Sequence, residues 1–190
     1  MEKNITIQKK STSQNVRMLT MTAVLSAISF GLAFFEFPVP LSPSFARMDL
    51  SDLPALIGAF AYGPVSGVLI ELVKNALQLF TSSTGGIGEL ANFIMGSSFV
   101  VSAGLIYKLH KTKRTAVIAC LAASVVMGIT AAIVNYFILF PVFEAFMPLD
   151  QLIASFGEFI PFIKTKLDVV LFNAFPFNLL KGIGISIVTM

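Results

Sequence analysis

Four polar residues in one apolar run, Glu71, Lys74, Asn75 and Gln78, recur at i, i+3, i+4 and i+7 and therefore share one face of a helix. Turned toward lipid, each ionisable group would cost roughly 2.5 kcal/mol or more, so the stripe faces protein or a polar cavity. Glu71 and Lys74 read as an ion pair that satisfies two buried charges, with Lys74 and Asn75 better placed to reach a cavity. Near the end of the chain Asn173, Asn178 and Lys181 surround Pro176, and Asn178 and Lys181 share a helical face. No acid lies within a turn of Lys181, and a buried amine needs a partner, which favours a ligand-facing role. Pro176 removes a backbone donor and frees the carbonyl near residue 172, so part of this polarity also repairs a kink. Asn135 and Tyr136 interrupt a run of Ile, Val, Phe and Leu.

Other chemistries are excluded by the residues. No HExxH, GxSxG or Walker A pattern occurs, and no Ser–His–Asp set is spaced for nucleophilic work, so the chain is not expected to be an enzyme or to hydrolyse ATP. His110 falls in a basic loop, Lys108-Leu-His-Lys-Thr-Lys-Arg114, where a solvated role is expected. Cys120 is the single cysteine; it rules out an internal disulfide and a cysteine metal cluster and reads as a small buried hydrophobe. Gly86-Ile-Gly88-Glu-Leu-Ala91 matches G-x-G-x-x-A, but that pattern binds dinucleotides only between a strand and a helix. Here it opens a membrane helix, whose amide end is expected to be free for a polar ligand.

These groups must be held by helices in a bilayer. The chain has 190 residues, 56% hydrophobic and 12% charged, with a mean hydropathy of +0.86; a soluble domain carries about 25% charged residues. Residues 1–17 are polar and basic and read as a cytoplasmic tail, and 18–190 as a single membrane domain. Apolar blocks fall at 18–36, 50–62, 65–81, 89–109, 115–140 and 166–189. Basic residues cluster in the tail and in 108–114, and the positive-inside rule puts both in the cytoplasm. Counting 50–62 and 65–81 separately gives an even number of crossings between those points, whereas fusing them at Pro64 gives an odd one. The expectation is an all-α integral membrane protein of six transmembrane helices, with both termini cytoplasmic.

Glu36, Asp49, Asp52, Glu89, Glu144, Asp150 and Glu158 fit outward-facing ends, with outer loops at 37–49, 82–88 and 141–165. The first of these has three prolines in Phe37-Pro-Val-Pro-Leu-Ser-Pro and reads as a stiff lid. Residues 149–160 suit a short interfacial helix capping the outer face. On the first helix Ala23, Ala27 and Gly31, spaced by four, make a smooth strip fit either for internal packing or for docking another membrane subunit.

The ordered set Ala23-x-x-x-Ala27, Asp49-Leu-Ser-Asp-Leu-Pro-Ala-Leu-Ile-Gly58, Gly63-Pro64, Lys74-Asn75, Gly85-Gly86-Ile-Gly88-Glu-Leu-Ala-Asn92 and Asn173-Ala-Phe-Pro-Phe-Asn-Leu-Leu-Lys181-Gly182 resembles the substrate-binding S-components of energy-coupling factor (ECF) vitamin transporters. The resemblance covers nearly the whole chain after residue 17 and is closest to the riboflavin-specific members. It implies a bacterial cell-membrane protein that binds a vitamin from outside and works with a membrane coupling subunit and two cytoplasmic ATPases. No resident cofactor and no nucleic acid are implied. It assigns Ala23 and Ala27 to the coupling-subunit contact, and riboflavin contacts to Leu41, Phe45, Ala46 and Met48 on the lid, to Thr84, Gly85, Gly86 and Asn92, and to Asn135, Asn178 and Lys181. An S-component for another small vitamin stays open, as does a membrane-embedded enzyme, for which Glu71 with Lys74 is the available acid/base pair.

Overall fold

Gly63 and Pro64 decide how the middle of the chain is built. Gly63 has φ +98°, where a side chain would be strained, and Pro64 supplies a preset first helical residue with no amide to waste. One helix ends at Tyr62 and another begins at Pro64. A methyl at Gly67 would lie 2.9 Å from Cβ of Ala59, one at Gly58 would meet the side chain of Ile70, and Lys74 reaches back to Asp52. The two helices therefore fold against each other as an antiparallel hairpin, and a single kinked span is ruled out.

The computed structural model describes residues 2–38, 47–82, 84–146 and 148–189. Helices are α1 (Glu2–Leu32), α2 (Asp52–Tyr62), α3 (Pro64–Gln78), α4 (Ile87–Leu109), α5 (Lys113–Val134), α6 (Phe140–Glu144), α7 (Leu149–Gly157), α8 (Lys166–Val169) and α9 (Phe175–Thr189). A π-helical turn, Asn135–Leu139, joins α5 to α6, and another, Val170–Ala174, joins α8 to α9. The basic segment 2–17 is helical and continuous with the first apolar helix. Two two-residue strands, β1 (Phe37–Pro38) and β2 (Arg47–Met48), pair antiparallel with Phe37 opposite Met48.

Among the described residues, four helical stretches are long and apolar enough to cross a membrane: Ser13–Leu32, Ile87–Leu109, Lys113–Glu144 and Lys166–Thr189. The 11-residue α2 is about 16 Å long, too short to span alone, and works as half of its hairpin. Direction alternates along the chain. Ser29 bonds to the Ser51 carbonyl and Leu25 packs near Gly58, so α1 and α2 are antiparallel. Glu71 faces Gly96 and Asn75 faces Asn92, so α3 and α4 are antiparallel. Gly128 abuts Phe175 and Gly182 abuts Ser124, which sets α5 against α9 the same way. The Gly63 turn, the 110–112 loop and the C-terminal end of α9 thus share one end of the bundle, which we term the basic end. The opposite, lid end carries β1–β2, residues 79–82 and 84–86, and α7.

Two apolar cores result. One, including Leu56, Ile70, Phe99, Val100, Met127 and Ile185, fills the bundle and contains Cys120. The other packs α7, through Leu152 and Phe156, onto Phe140, Ile163, Val169 and Val170 at the lid end. The short helix expected over 149–160 is present as α7.

Candidate functional site

The stripe on α3 is held inward by its amphipathicity. Glu71 and Lys74 are fully buried and Asn75 nearly so, while Leu72, Val73 and Leu69 face outward. Lys74 Nζ lies 2.7 Å from Glu71 Oε2 and 2.5 Å from Asp52 Oδ1, and donates to Ser51 Oγ at 3.1 Å. The expected Glu71–Lys74 pair is present, and it has a second acid. Gly96 makes room for it, because a methyl there would sit 2.6 Å from Glu71 Oε2.

Lys181 is buried, as expected, but its argument as an unpaired amine does not hold. Its Nζ lies 2.9 Å from Asp52 Oδ2 and 3.6 Å from Asp49 Oδ2. No acid is near in sequence; both acids arrive from the start of α2, across the bundle. Asp168, another acid of the same helical stretch, instead accepts from the amides of Lys164 and Thr165. Asp52, one of the acids expected near outward-facing ends, is the first residue of α2 and is fully buried. Lysines on two different helices need acids when buried, and Asp49-x-x-Asp52 before an apolar helix was the available signal.

The same chemistry extends to α4. Asn75 Nδ2 donates to the Glu71 carbonyl at 2.8 Å, and Asn92 Nδ2 donates to Asn75 Oδ1 at 3.2 Å. One continuous polar chain therefore runs from Asn92 through Asn75, Glu71, Lys74 and Asp52 to Lys181. It crosses α4, α3, α2 and α9 at mid-depth.

The π turns bear on Asn135 and Asn178, and the buried Asn173 lies within the second of them. Pro141 and Pro176 have no amide to donate, and each π turn passes a residue ahead of its proline: Phe140 N–H bonds to the Asn135 carbonyl and Phe175 N–H to the Val170 carbonyl. Asn135 and Asn178 each donate Nδ2 to the carbonyl four residues back, Ala131 at 2.8 Å and Ala174 at 2.9 Å. One of the two N–H donors of each carboxamide is thereby used on its own helix. Lys166 ties α8 to Glu144 at 2.7 Å and lies 5.4 Å from the ring centres of Tyr136 and Phe140. From the α5–α9 register, Asn135 stands roughly 12 Å further toward the lid end than Asn178, so the two do not meet.

The turn 82–86 departs from expectation. Gly85 and Gly86 have φ +64° and +92°, and α4 begins at Ile87. Two amides at this end are taken: Gly86 N–H bonds to Ser82 Oγ at 2.9 Å and Gly88 N–H to Thr84 Oγ1 at 3.0 Å. Glu89 Oε2 in turn accepts from both hydroxyls. Thr84 is exposed and Asn92 half-buried, and Met48 is half-buried beside β1. Leu41, Phe45 and Ala46 lie outside the described residues.

Ala23, Ala27 and Gly31 are all exposed, and Gly31 has nothing within 4 Å of an added methyl. The opposite face of α1 is the packed one, through Thr22, Ser26 and Ser29. The strip therefore does not close the bundle.

Comparison with known proteins completes the picture. The model of the family described as "ECF transporter, substrate-specific component" matches residues 17–190. The chain is 37% identical over 182 residues to the riboflavin transporter RibU of Staphylococcus aureus (strain TCH60), covering 95% of this chain and 90% of that protein. It is 32% identical to the riboflavin transporter FmnP of Bacillus subtilis (strain 168), covering 91% and 88%. A solved structure described as "Structure and mechanism of the S component of a bacterial ECF transporter" superposes with a TM-score of 0.74 at 34% identity, covering 92% of each chain.

Proposed function

The chain belongs to the family of ECF transporter substrate-specific components, a family of transport components and not of enzymes, and on that premise we propose that it captures riboflavin for uptake. The supporting observation is the reach of the likeness. Relatives named riboflavin transporters align over 95% and 91% of this chain and over 90% and 88% of their own lengths, so the similarity includes every element that could select a ligand.

The ligand's chemistry suits the polar positions. An isoalloxazine has broad apolar faces and one hydrogen-bonding edge, and its ribityl chain carries hydroxyls. Asn178 and Lys181 at mid-depth, and Asn135 roughly 12 Å toward the lid end, offer polar contacts spread over the length of such a molecule. Asn92, Thr84, Gly85 and Gly86 approach from the start of α4, and Leu41, Phe45, Ala46 and Met48 supply the cover. Asn135 and Asn178 each use one N–H internally and keep a second N–H and the carboxamide oxygen, which suit the ring's polar edge and the hydroxyls. Lys181 offers donors to carbonyl or hydroxyl oxygens.

In this reading the protein is multi-pass in a bacterial plasma membrane. It crosses six times, with termini and the 108–114 loop in the cytoplasm and the lid end outside. The exposed strip of Ala23 and Ala27 is the contact for a membrane coupling subunit that works with two ATPases. Titrating riboflavin with the purified protein and following quenching of flavin fluorescence tests the substrate. Saturable quenching supports it, and no quenching with folded, monodisperse protein refutes it. For orientation, Glu158→Cys and Thr112→Cys in a Cys120→Ser background are probed in whole cells with an impermeant thiol reagent. Labelling at 158 alone is expected, and labelling at 112 alone inverts the topology.

A further inference from the structure

We propose that Asp52 is a positioning residue for ligand capture. It fixes the ammonium of Lys181 at the point where the ligand meets it, and touches no ligand itself. The inference rests on the reading of Lys181 as a riboflavin contact and adds a determinant outside that contact set.

Asp52 is fully buried, and its two oxygens are divided between two cations. Oδ1 lies 2.5 Å from Lys74 and Oδ2 lies 2.9 Å from Lys181. A carboxylate so enclosed has no oxygen turned to a ligand, and its effect must pass through the groups it holds. Lys181 needs such a hold: its ammonium is a point charge on a flexible four-carbon stem. Its other acid, Asp49, stands further off at 3.6 Å. With Asp52 neutralised, the remaining acid beside the ammonium is Asp49, and the ammonium shifts from its place at Asp52 toward it.

Asp52 is itself anchored. The carbonyl of Ser51 accepts from Ser29 on α1. The Ser51 amide donates to Asp49 Oδ1 at 2.7 Å, and Ser51 Oγ accepts from Lys74 on α3. Backbone and side-chain bonds from two other helices thus hold the first turn of α2 where the carboxylate must be.

The test is a double-mutant cycle read by riboflavin fluorescence quenching on purified, monodisperse protein. Lys181→Met is expected to weaken binding about 5- to 150-fold, the loss of one buried hydrogen-bond partner. Asp52→Asn is expected to fall in the same range. If Asp52 acts through Lys181, adding Asp52→Asn to Lys181→Met changes the dissociation constant by less than about twofold. A merely structural role gives additive losses instead, and additivity overturns the proposal, as does an Asp52→Asn protein that binds like the wild type. Should Asp52→Asn not fold alone, because it leaves Lys181 less well paired, the double variant removes both ends of the pair. Its comparison with Lys181→Met then decides. Absence of wild-type quenching refutes the substrate reading, whereas wild-type quenching with an unaffected Lys181→Met removes Lys181 from the site and this inference with it.

Discussion

Small residues do opposite work in two regions of this molecule. Inside the bundle, Gly58, Gly67, Gly96 and Gly104 are pressed against Ile70, Ala59, Glu71 and Pro64, with no space for a methyl at normal contact distance. On the outward face of α1, Ala23, Ala27 and Gly31 are exposed, and Gly31 meets nothing at all. Both sets are small residues, but the interior ones are consumed in bringing helices together, Gly96 against the buried Glu71. Those on α1 leave a smooth surface unused by the fold. Small-residue spacing alone marks close helix approach; only the packing tells which approach is already made.

The sharpest way to break this contrast is at the charge cluster that Gly96 lies against. Lys74→Met takes the paired cation from Glu71 and leaves Asp52 held by Lys181 alone, and removing one member of a buried pair typically costs about 3–5 kcal/mol. Unfolding of the detergent-purified protein in SDS, followed by circular dichroism, should show a loss of that order. A wild-type curve would mean that the cluster is not closed.

Gly67→Val comes next. An added Cβ would lie 2.9 Å from Cβ of Ala59, 3.0 Å from the Ala55 carbonyl oxygen and 3.1 Å from Cβ of Val100. Overpacking of this kind costs roughly 1–3 kcal/mol, measured in the same assay. Gly31→Ala should do the reverse, remaining neutral or adding up to about 1 kcal/mol, since it removes backbone freedom in a helix with open space around it.

Ala27→Leu sharpens the comparison from the other side, with the smallest effect on the isolated chain. Stability should shift by no more than about 0.5 kcal/mol, as for surface changes elsewhere, and riboflavin affinity should stay within about twofold. Co-purification with a coupling subunit and uptake by cells should nevertheless be lost. Impaired binding to the isolated protein would show that the strip reaches the pocket after all.

The comparison also separates what could be read in the chain from what could not. Hydropathy blocks, the inward stripe of α3, the break at Gly63-Pro64 and the short helix near 149–160 follow from local pattern, because lipid forces each segment to satisfy its own backbone. The ordered motifs were enough to indicate the family. The partners of Lys181 were not legible: Asp49 and Asp52 are more than a hundred positions earlier in the chain, and charge pairing across helices leaves no spacing to read. The π turns at Asn135–Leu139 and Val170–Ala174 were visible only as a proline with polar neighbours. The free amide end expected at Gly86 proved to be taken by Ser82 and Thr84, side chains whose rotamers no periodicity fixes.

By itself, then, the sequence determined that this is a helical membrane protein with polar groups to hold inside and a strip of small residues on its first helix. Each of those properties follows from the solvent that a local segment meets. Tertiary structure alone decided that Asp52 joins two lysines from different helices and that Asn75 links Asn92 to the same cluster. It alone decided that Ala23 and Ala27 face out while Thr22, Ser26 and Ser29 face in. Those outcomes depend on which helices become neighbours and at what height, and the length of an 11-residue α2 sets that height for the whole site.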